Sequence, residues 1–409
     1  MSEVSHTYRA ITVARDWQRC RMKYRVLPPV MLGLVLVAIA CGGGSGESTD
    51  TTSRVPAIAQ NEPVVEAADP TPKAETTEAP APTAEPEPDP TTEPEAAPTI
   101  APAEVPSSES TNTSGSLSSG CGAGAVPGTT TVMFNFEGQE RVYEQVVPAG
   151  YDDSTRLPVV LNWHGLGSNG VEQLAFSDYT ALADAEGFIV IVPTGLEDAT
   201  GLNSWELTPE QFADRDDLAF ANTLLDQVIG TLCVDDSRVY TTGMSNGGYF
   251  SSVLVCEMSD RIAAAASVAA LSHADSCDPS RVVPYIGFHG TNDEVVPYGG
   301  GESSMAPGQS VPLFELKILD EFAEFAAAAG CDVEPRVAQL SPEVTSFDFR
   351  NCADDVQMTF YEIEGGGHSW PGSAVSLAVS EAIGLGATTD EISASETSWA
   401  FFQQYSLDN

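Results

Sequence analysis

The sequence predicts an α/β fold, a doubly wound and mostly parallel sheet with helices on both faces. Two observations carry this prediction: strand and helix patterns alternate from Cys121 onward, and the first two strands follow each other as a hairpin. The predicted strands are Thr130 to Phe136, Arg141 to Val147, Pro158 to Trp163, Phe188 to Val192, Arg238 to Thr242, Val282 to Phe288 and Met358 to Ile363. The predicted helices are Asp217 to Ile229, Asn246 to Glu257, Phe314 to Ala329 and Ser398 to Tyr405.

Residues 1–40 have the pattern of a signal peptide. An apolar run over 27–40 follows several basic residues, and it is shorter than the roughly 20 residues that span a bilayer. A translation start at Met22 would give an ordinary signal peptide. The run ends in V-A-I-A-C-G-G-G, which resembles a bacterial lipobox, so we expect Cys41 to be lipidated. Plain secretion with an incidental cysteine is the alternative.

Residues 41–120 form an acidic linker rich in Pro, Thr and Glu. The stretch from Pro63 to Pro106 holds no aromatic residue, so nothing in it packs a core, and we expect disorder. Such a linker would tether the globular part to the membrane if Cys41 is lipidated. Residues 121–409 are long enough for one complete catalytic domain.

Charge excludes one class of partner. The chain has 17 basic and 59 acidic residues, a formal net charge of −42. Such a surface repels nucleic acids and anionic membranes. We therefore expect no nucleic-acid partner, and membrane contact only through a lipid anchor.

The cysteine count indicates disulfides. Six of the eight cysteines lie outside the leader and the lipobox: Cys121, Cys233, Cys256, Cys277, Cys331 and Cys352. An even number in an exported chain favours disulfide pairing, but six cysteines allow about 15 pairings and the sequence does not choose among them. The sequence has no C-x-x-C, so we predict no zinc site and no cofactor.

The motif G-M-S-N-G places Ser245 directly after a strand and directly before an apolar helix. A serine on such a tight turn is held out of the sheet, and the flanking glycines let the backbone bend sharply. This context predicts a nucleophile. The alternative is a glycine-rich turn whose serine only caps the helix.

A nucleophilic serine needs a base and an acid that orients the base. Of the five histidines, His368 fits best, because it follows a strand and three glycines on a loop late in the chain. The α/β-hydrolase order is serine, acid, histidine, and Asp293 lies between the two at the end of a strand. Its neighbour Glu294 is the rival for the acid. A structural histidine is the alternative for His368.

The oxyanion formed during attack needs backbone N–H donors, usually one after the nucleophile and one from the loop after an earlier strand. We predict Asn246 and Leu166 for these roles, with Gly165 as the alternative second donor. Three aromatic residues are candidates for substrate contact, with ordinary packing as the alternative for each: Trp370, Trp205 and Tyr298.

Together these motifs resemble the secreted polyhydroxybutyrate depolymerase and feruloyl esterase group of α/β-hydrolases. The matching segments cover residues 120–409 in order, and they are G-C-G, P-V-V-L-N-W-H-G, R-V-Y-T-T-G-M-S-N-G-G, V-P-Y-I-G-F-H-G-T-N-D-E-V-V-P-Y-G-G and G-G-G-H-S-W-P-G. The resemblance implies three disulfides, which pair Cys121 with Cys233, Cys256 with Cys277, and Cys331 with Cys352.

The same resemblance implies an extracytoplasmic serine esterase that works through an acyl-enzyme. We expect a bulky or polymer-derived ester substrate, with hydroxycinnamoyl esters ahead of polyesters and acetyl esters. Two further readings stay open. One is a tethered binding protein that kept the fold without the chemistry, and the other is an enzyme of this fold that cleaves peptides.

Overall fold

The structure, a computed structural model, describes residues 120–208, 211–212, 215–271, 277–305, 307 and 316–408. The expectations for the signal peptide, Cys41 and the linker up to residue 119 lie outside these residues. No helix within the described ranges is long and apolar enough to cross a membrane.

The strands and helices alternate in chain order as expected. The strands are β1 (Gly128–Phe136), β2 (Gln139–Val147), β3 (Leu157–Trp163), β4 (Ile189–Pro193), β5 (Leu196–Glu197), β6 (Asn203–Ser204), β7 (Val234–Gly243), β8 (Ala264–Val268), β9 (Tyr285–Gly290), β10 (Arg336–Gln339), β11 (Val344–Phe349) and β12 (Met358–Ile363). The helices are α1 (Gly170–Ser177), α2 (Tyr179–Glu186), α3 (Asp217–Thr231), α4 (Asn246–Glu257), α5 (Ile318–Ala328), α6 (Ala374–Val379) and α7 (Ala394–Phe402), and a short 3₁₀ turn spans Ala353–Asp355.

One large sheet holds all these strands except the small hairpin β5–β6. Its order is β1-β2-β4-β3-β7-β8-β9-β12-β11-β10. The strands β4, β3, β7, β8, β9 and β12 run parallel to one another, whereas β2 and β1 at one edge and β11 and β10 at the other pair antiparallel. The predicted α/β-hydrolase fold is confirmed, with a parallel centre and antiparallel edges.

Apolar side chains alternate along the central strands and fill a core on each face of the sheet. On β3, Val159 and Leu161 pack into one core layer with α3, α4 and α5, whereas Val160 packs into the opposite layer with α2 and α7. Strands covered on both faces are expected to read as continuous apolar runs, as β3 and β4 do. The helices therefore cover both faces, which is the doubly wound arrangement.

The predicted elements agree with the structure within a few residues at most boundaries. The predicted helix from Phe314 begins at Ile318, and the predicted last helix, Ser398 to Tyr405, lies earlier, at Ala394–Phe402. The sequence interpretation missed the helices α1, α2 and α6, the strand β8, the small hairpin β5–β6 and the edge strands β10 and β11.

Candidate active site

Ser245 occupies the sharp turn between β7 and α4. Its backbone has φ 55° and ψ −123°, which is a strained conformation for a residue that carries a Cβ. The side chain makes no capping hydrogen bond to α4, so it does not act as a helix cap. The turn leaves Ser245 partly exposed, with a hydroxyl that is not engaged by the helix.

The two glycines of the G-M-S-N-G motif are required by close backbone packing. A Cβ atom on Gly247 would lie 2.1 Å from the carbonyl oxygen of Trp163, and one on Gly243 would lie 2.4 Å from that of Gly247. Gly165 approaches the nucleophile from the neighbouring loop, where a Cβ atom would lie 3.3 Å from Ser245 Cβ. The turn can therefore be this tight only with glycine on both sides of the serine.

The three predicted catalytic residues follow three parallel strands: Ser245 comes after β7, Asp293 after β9 and His368 after β12. The Ser245 N–H donates to the Val268 carbonyl at the end of β8, and the Ala269 N–H donates to the Phe288 carbonyl on β9. The Thr291 N–H then donates to the Ile363 carbonyl at the end of β12. These bonds connect the turns after β7, β8, β9 and β12 in a row, so the functional loops share one edge of the sheet.

Asp293 and His368 form a direct pair at this edge. His368 Nδ1 lies 2.7 Å from Asp293 Oδ2, and both side chains are almost completely buried. The other carboxylate oxygen, Oδ1, accepts the backbone N–H groups of Val295 and Val296, each at 2.8 Å. Asp293 thus orients the imidazole as an acid of a catalytic triad does, while the neighbouring Glu294 is exposed.

The charges around Asp293 keep it ionised. Burial alone would raise the pKa of Asp293, but the charge of His368 and hydrogen bonds from His289 and His368 hold that pKa well below the ordinary value of 3.8. Because His368 donates through Nδ1, its Nε2 is the nitrogen that remains to take a proton. Among the described residues, no hydrogen bond joins this nitrogen to the Ser245 hydroxyl, so the third contact of the triad stays a prediction.

The predicted oxyanion donors lie on the two loops that flank Ser245. Asn246 is the first residue of α4, so its N–H has no partner within the helix. The Leu166 N–H makes no hydrogen bond to another described residue, whereas the N–H groups of Gly167 and Ser168 are bonded to Asn203 and Gly165. The role of Leu166 and Asn246 remains a prediction that this arrangement supports.

The small hairpin β5–β6 supports the loop after β3, residues 164–168, which carries the predicted donor Leu166 and is here called the oxyanion loop. The sequence interpretation did not anticipate this support. His164 Nε2 accepts the N–H of Gly195 at 2.9 Å, and the Trp205 indole N–H donates to the His164 carbonyl at 3.0 Å. The Asn246 side chain accepts from the Trp205 N–H at 2.7 Å and donates to its carbonyl at 3.2 Å. One element thus contacts both sides of the predicted oxyanion hole.

A buried ion cluster fixes that hairpin. Arg215 donates to the Leu196 carbonyl at 2.6 Å and to the Ser204 hydroxyl at 2.7 Å, so it bonds both strands. Asp217 accepts from Arg141 at 3.2 Å and lies 3.5 Å from the Arg215 Nε. The sequence carried no signal of this cluster, because Arg141 and Arg215 do not stand out among the other arginines of the domain.

Two of the predicted substrate contacts are wrong. Trp370 and Trp205 are both 0% exposed. The Trp370 indole N–H donates to the Ser395 hydroxyl, so the segment after His368 turns inward into the core layer of α2 and α7. Trp205 stacks on Phe250 beneath the site and cannot face a substrate. Tyr298 is only partly buried and donates to the Glu362 carboxylate, and its contact with substrate stays a prediction.

The three disulfides implied by the family resemblance are confirmed. The structure pairs Cys121 with Cys233, Cys256 with Cys277, and Cys331 with Cys352. Among the described residues there is no group of three or more His, Cys, Asp or Glu side chains arranged to hold a metal ion.

Known proteins similar to this chain are esterases. Feruloyl esterase B of Piromyces equi is 30% identical over 227 residues, which cover 54% of this chain and 41% of that protein. A probable feruloyl esterase C of Aspergillus niger is 30% identical over 198 residues, which cover 47% of this chain and 67% of that protein. An acetyl xylan esterase structure from Aspergillus awamori has a TM-score of 0.42 at 16% identity, covering 59% of this chain and 94% of that chain. No family model matches the chain.

The chain spans less than half of the length of the Piromyces relative, but two thirds of the Aspergillus niger protein. These names support the feruloyl esterase part of the resemblance, while cleavage of polyhydroxybutyrate stays a prediction. The sequence similarity, together with the strand order and the Asp293–His368 pair, shows that the chain belongs to the feruloyl esterase family of α/β-hydrolases.

Proposed function

We propose that this protein is a serine carboxylic ester hydrolase in which Ser245 is the nucleophile, His368 the base and Asp293 the acid that orients the base. The observation that carries the proposal is the buried hydrogen bond between His368 Nδ1 and Asp293 Oδ2, at the sheet edge where Ser245 occupies its strained turn. A hydroxyl, an oriented imidazole and unbonded backbone N–H groups are the components that acyl transfer requires.

The reaction proceeds in two halves. Ser245 Oγ attacks the ester carbonyl carbon while His368 Nε2 takes the serine proton, and the N–H groups of Leu166 and Asn246 bind the oxyanion. The carbon–oxygen bond to the alcohol then breaks, and His368 returns the proton to the leaving alcohol. In the second half, water attacks the acyl carbon while His368 Nε2 takes a proton from it. The bond between the acyl carbon and Ser245 Oγ then breaks, and His368 returns the proton to Oγ, which releases the acid and restores Ser245. Asp293 stabilises the imidazolium in both halves.

The substrate we propose is an ester with a bulky apolar acid, with hydroxycinnamoyl esters as the first candidates. The names of the similar proteins point to this class. Two exposed leucines lie near the nucleophile, Leu166 on the oxyanion loop and Leu202 on the hairpin turn, each 39% exposed. Leu202 Cδ2 lies 3.4 Å from the position of a Cβ atom on Gly167, so it packs against the same loop. An apolar acyl group would cover these side chains, whereas an acetyl group would leave them in water.

The site of action we propose is outside the cytoplasm. Three disulfides suit an oxidising compartment. The lipobox-like sequence at Cys41 adds a lipid anchor to this proposal, and mass spectrometry of the mature protein would detect the acylated cysteine.

Turnover of methyl ferulate and of an aryl acetate tests the proposed chemistry. Ser245→Ala and His368→Ala should each lower kcat about a thousandfold or more while circular dichroism shows a folded protein. The double variant should be hardly worse than either single variant, because the two residues act as a unit. Absence of turnover by the unmodified protein on the whole panel would favour a binding protein, and additive losses would show that one assignment is wrong.

Leucine variants test the substrate class. Leu202→Ala should raise KM for methyl ferulate several-fold and leave KM for the aryl acetate nearly unchanged, since only the larger acyl group reaches this side chain. Leu340→Ala is the matched control, because Leu340 is also exposed but follows the edge strand β10, which four strands separate from β7 and Ser245. Equal effects of Leu202→Ala on both substrates would contradict the hydroxycinnamoyl assignment.

A further inference from the structure

A second histidine contacts the carboxylate of the triad acid. His289 lies near the end of β9 and its side chain is 1% exposed. Its Nε2 is 3.2 Å from Asp293 Oδ2 and 2.9 Å from the carbonyl oxygen of Val296. The same Asp293 oxygen, Oδ2, therefore accepts the hydrogen bond from His368 Nδ1 and faces the imidazole of His289.

The neighbours of His289 decide its tautomer. Both groups that face Nε2, an ionised carboxylate and a backbone carbonyl, only accept hydrogen bonds, so Nε2 must carry the hydrogen. Nδ1 is buried and has no hydrogen-bond partner among the described residues, so a hydrogen on Nδ1 would have no acceptor there. The neutral ring that carries its hydrogen on Nε2 therefore makes more hydrogen bonds than the ring that carries it on Nδ1. His289 thus donates its Nε2–H to the Val296 carbonyl at 2.9 Å and presents the same N–H to Asp293 Oδ2 at 3.2 Å, through the opposite ring nitrogen from the one that His368 uses.

We infer that His289 is a positioning residue for catalysis, which holds the Asp293 carboxylate in the orientation that His368 needs; this inference rests on the proposed function. The backbone N–H groups of Val295 and Val296 fix Oδ1 at 2.8 Å each, and the His289 Nε2–H faces Oδ2 at 3.2 Å. A carboxylate held at both oxygens keeps its plane, so His368 meets an acceptor that is already oriented.

This role differs from that of a histidine that only fills the core. Packing requires a ring of similar volume, and any well-fitting apolar side chain would supply it. Positioning requires an N–H group at the location of Nε2, which glutamine can supply and leucine cannot. The two readings therefore make opposite predictions for a pair of substitutions at the same position.

The experiment compares His289→Leu with His289→Gln, and uses Ile286→Val on the same strand as a control for loss of core packing. The first readout is the low-field proton NMR resonance of the His368 Nδ1 hydrogen. In His289→Leu this resonance should broaden. Without His289 the Asp293 carboxylate is less firmly held, so the hydrogen on His368 Nδ1 exchanges faster with water. The resonance should stay sharp in His289→Gln and in Ile286→Val.

The second readout is turnover of an aryl ester. His289→Leu should lower kcat about tenfold or more with little change in KM, because binding is intact and only the triad is misaligned. His289→Gln should recover most of the lost rate. If His289→Leu keeps a sharp resonance and the kcat of the unmodified protein, or if both variants lose rate in proportion to their loss of melting temperature, the inference is wrong. The NMR comparison needs no turnover, so it tests His289 even if the proposed ester hydrolysis fails.

Discussion

At the scale of single residues, His164 and His368 near the site donate through Nδ1, whereas His289 donates through Nε2. His164 Nε2 accepts the Gly195 N–H at 2.9 Å, so its hydrogen is on Nδ1, which lies 2.7 Å from the Gly165 carbonyl oxygen. Protonation of His164 would place a second N–H against the N–H of Gly195. The neutral form of this histidine is therefore part of the contact between the oxyanion loop and the hairpin β5–β6.

The charge state of His164 predicts how stability depends on acidity. Burial lowers the pKa of His164 from 6.5 to about 4. Between these two values the unfolded chain binds a proton that the folded protein does not, so the free energy of unfolding falls as pH drops from about 6.5 to about 4. The contribution of this one group is on the order of 3 kcal/mol.

Urea unfolding at pH 7 and pH 4.5 measures this effect. His164→Gln keeps an acceptor for the Gly195 N–H but does not titrate, so we expect it to lose less stability than the unmodified protein over this interval. The comparison within each protein removes any constant cost of the substitution. Equal losses in both proteins would mean that His164 does not carry the predicted share of the acid sensitivity.

At the scale of elements, the turn between β7 and α4 depends on how closely it packs on β3. A Cβ atom on Gly247 would lie 2.1 Å from the Trp163 carbonyl oxygen, and backbone atoms there cannot move without shifting β3 in the centre of the sheet. The strain at Ser245 is therefore maintained by the sheet and not by the turn alone.

Gly247→Ala should destabilise the protein by about 3 kcal/mol or more, because the sheet or the turn must deform. Thermal unfolding measures the loss. Gly299→Ala is the control, because a Cβ atom on Gly299 meets no heavy atom within 4 Å and should change stability little. A Gly247→Ala variant as stable as the Gly299→Ala control would show that the turn is looser than this packing implies.

The elements also show what the sequence can and cannot predict. The sequence predicted three of the functional segments because a strand pattern with β-branched residues precedes a glycine-containing turn in each. These segments are the turn carrying Ser245, the end of β9 and the loop of His368. Strand β8 reads A-A-A-S-V and was missed, since alanine favours helices and only burial between β7 and β9 makes this segment a strand. Trp370 was misplaced because nearness to His368 in sequence says nothing about which way the following turn directs a side chain.

Side-chain partners distant in sequence were equally beyond prediction. The Arg141–Asp217 bond joins residues 76 positions apart, and the His289 contact with Asp293 depends on the turn that follows β9. No periodicity reports such contacts, because they arise only when the sheet is assembled. The pairing of Asp293 with His368 was predictable by contrast, since their order along the chain and their places after strands are set by the topology.

At the scale of the whole molecule, disulfides connect segments that differ widely in sequence separation. Cys121–Cys233 spans 112 residues and links the start of the described domain to the residue before β7. Cys331–Cys352 spans 21 residues next to β11. A cross-link that closes a longer loop removes more conformational entropy from the unfolded chain.

Loop length therefore predicts an order of stabilities. In the chain-entropy description, the 112-residue closure is worth about 5 kcal/mol and the 21-residue closure about 3 kcal/mol. The paired substitution of Cys121 and Cys233 by alanine should lower the free energy of unfolding by more than the paired substitution of Cys331 and Cys352. Chemical denaturation of the two double variants under oxidising conditions measures the difference. Removing both partners of a pair leaves no unpaired thiol among the six disulfide cysteines, so exchange with the remaining bridges does not obscure the comparison. The reverse order of losses would show that packing around Cys331 and Cys352, and not the entropy of loop closure, determines what each disulfide contributes.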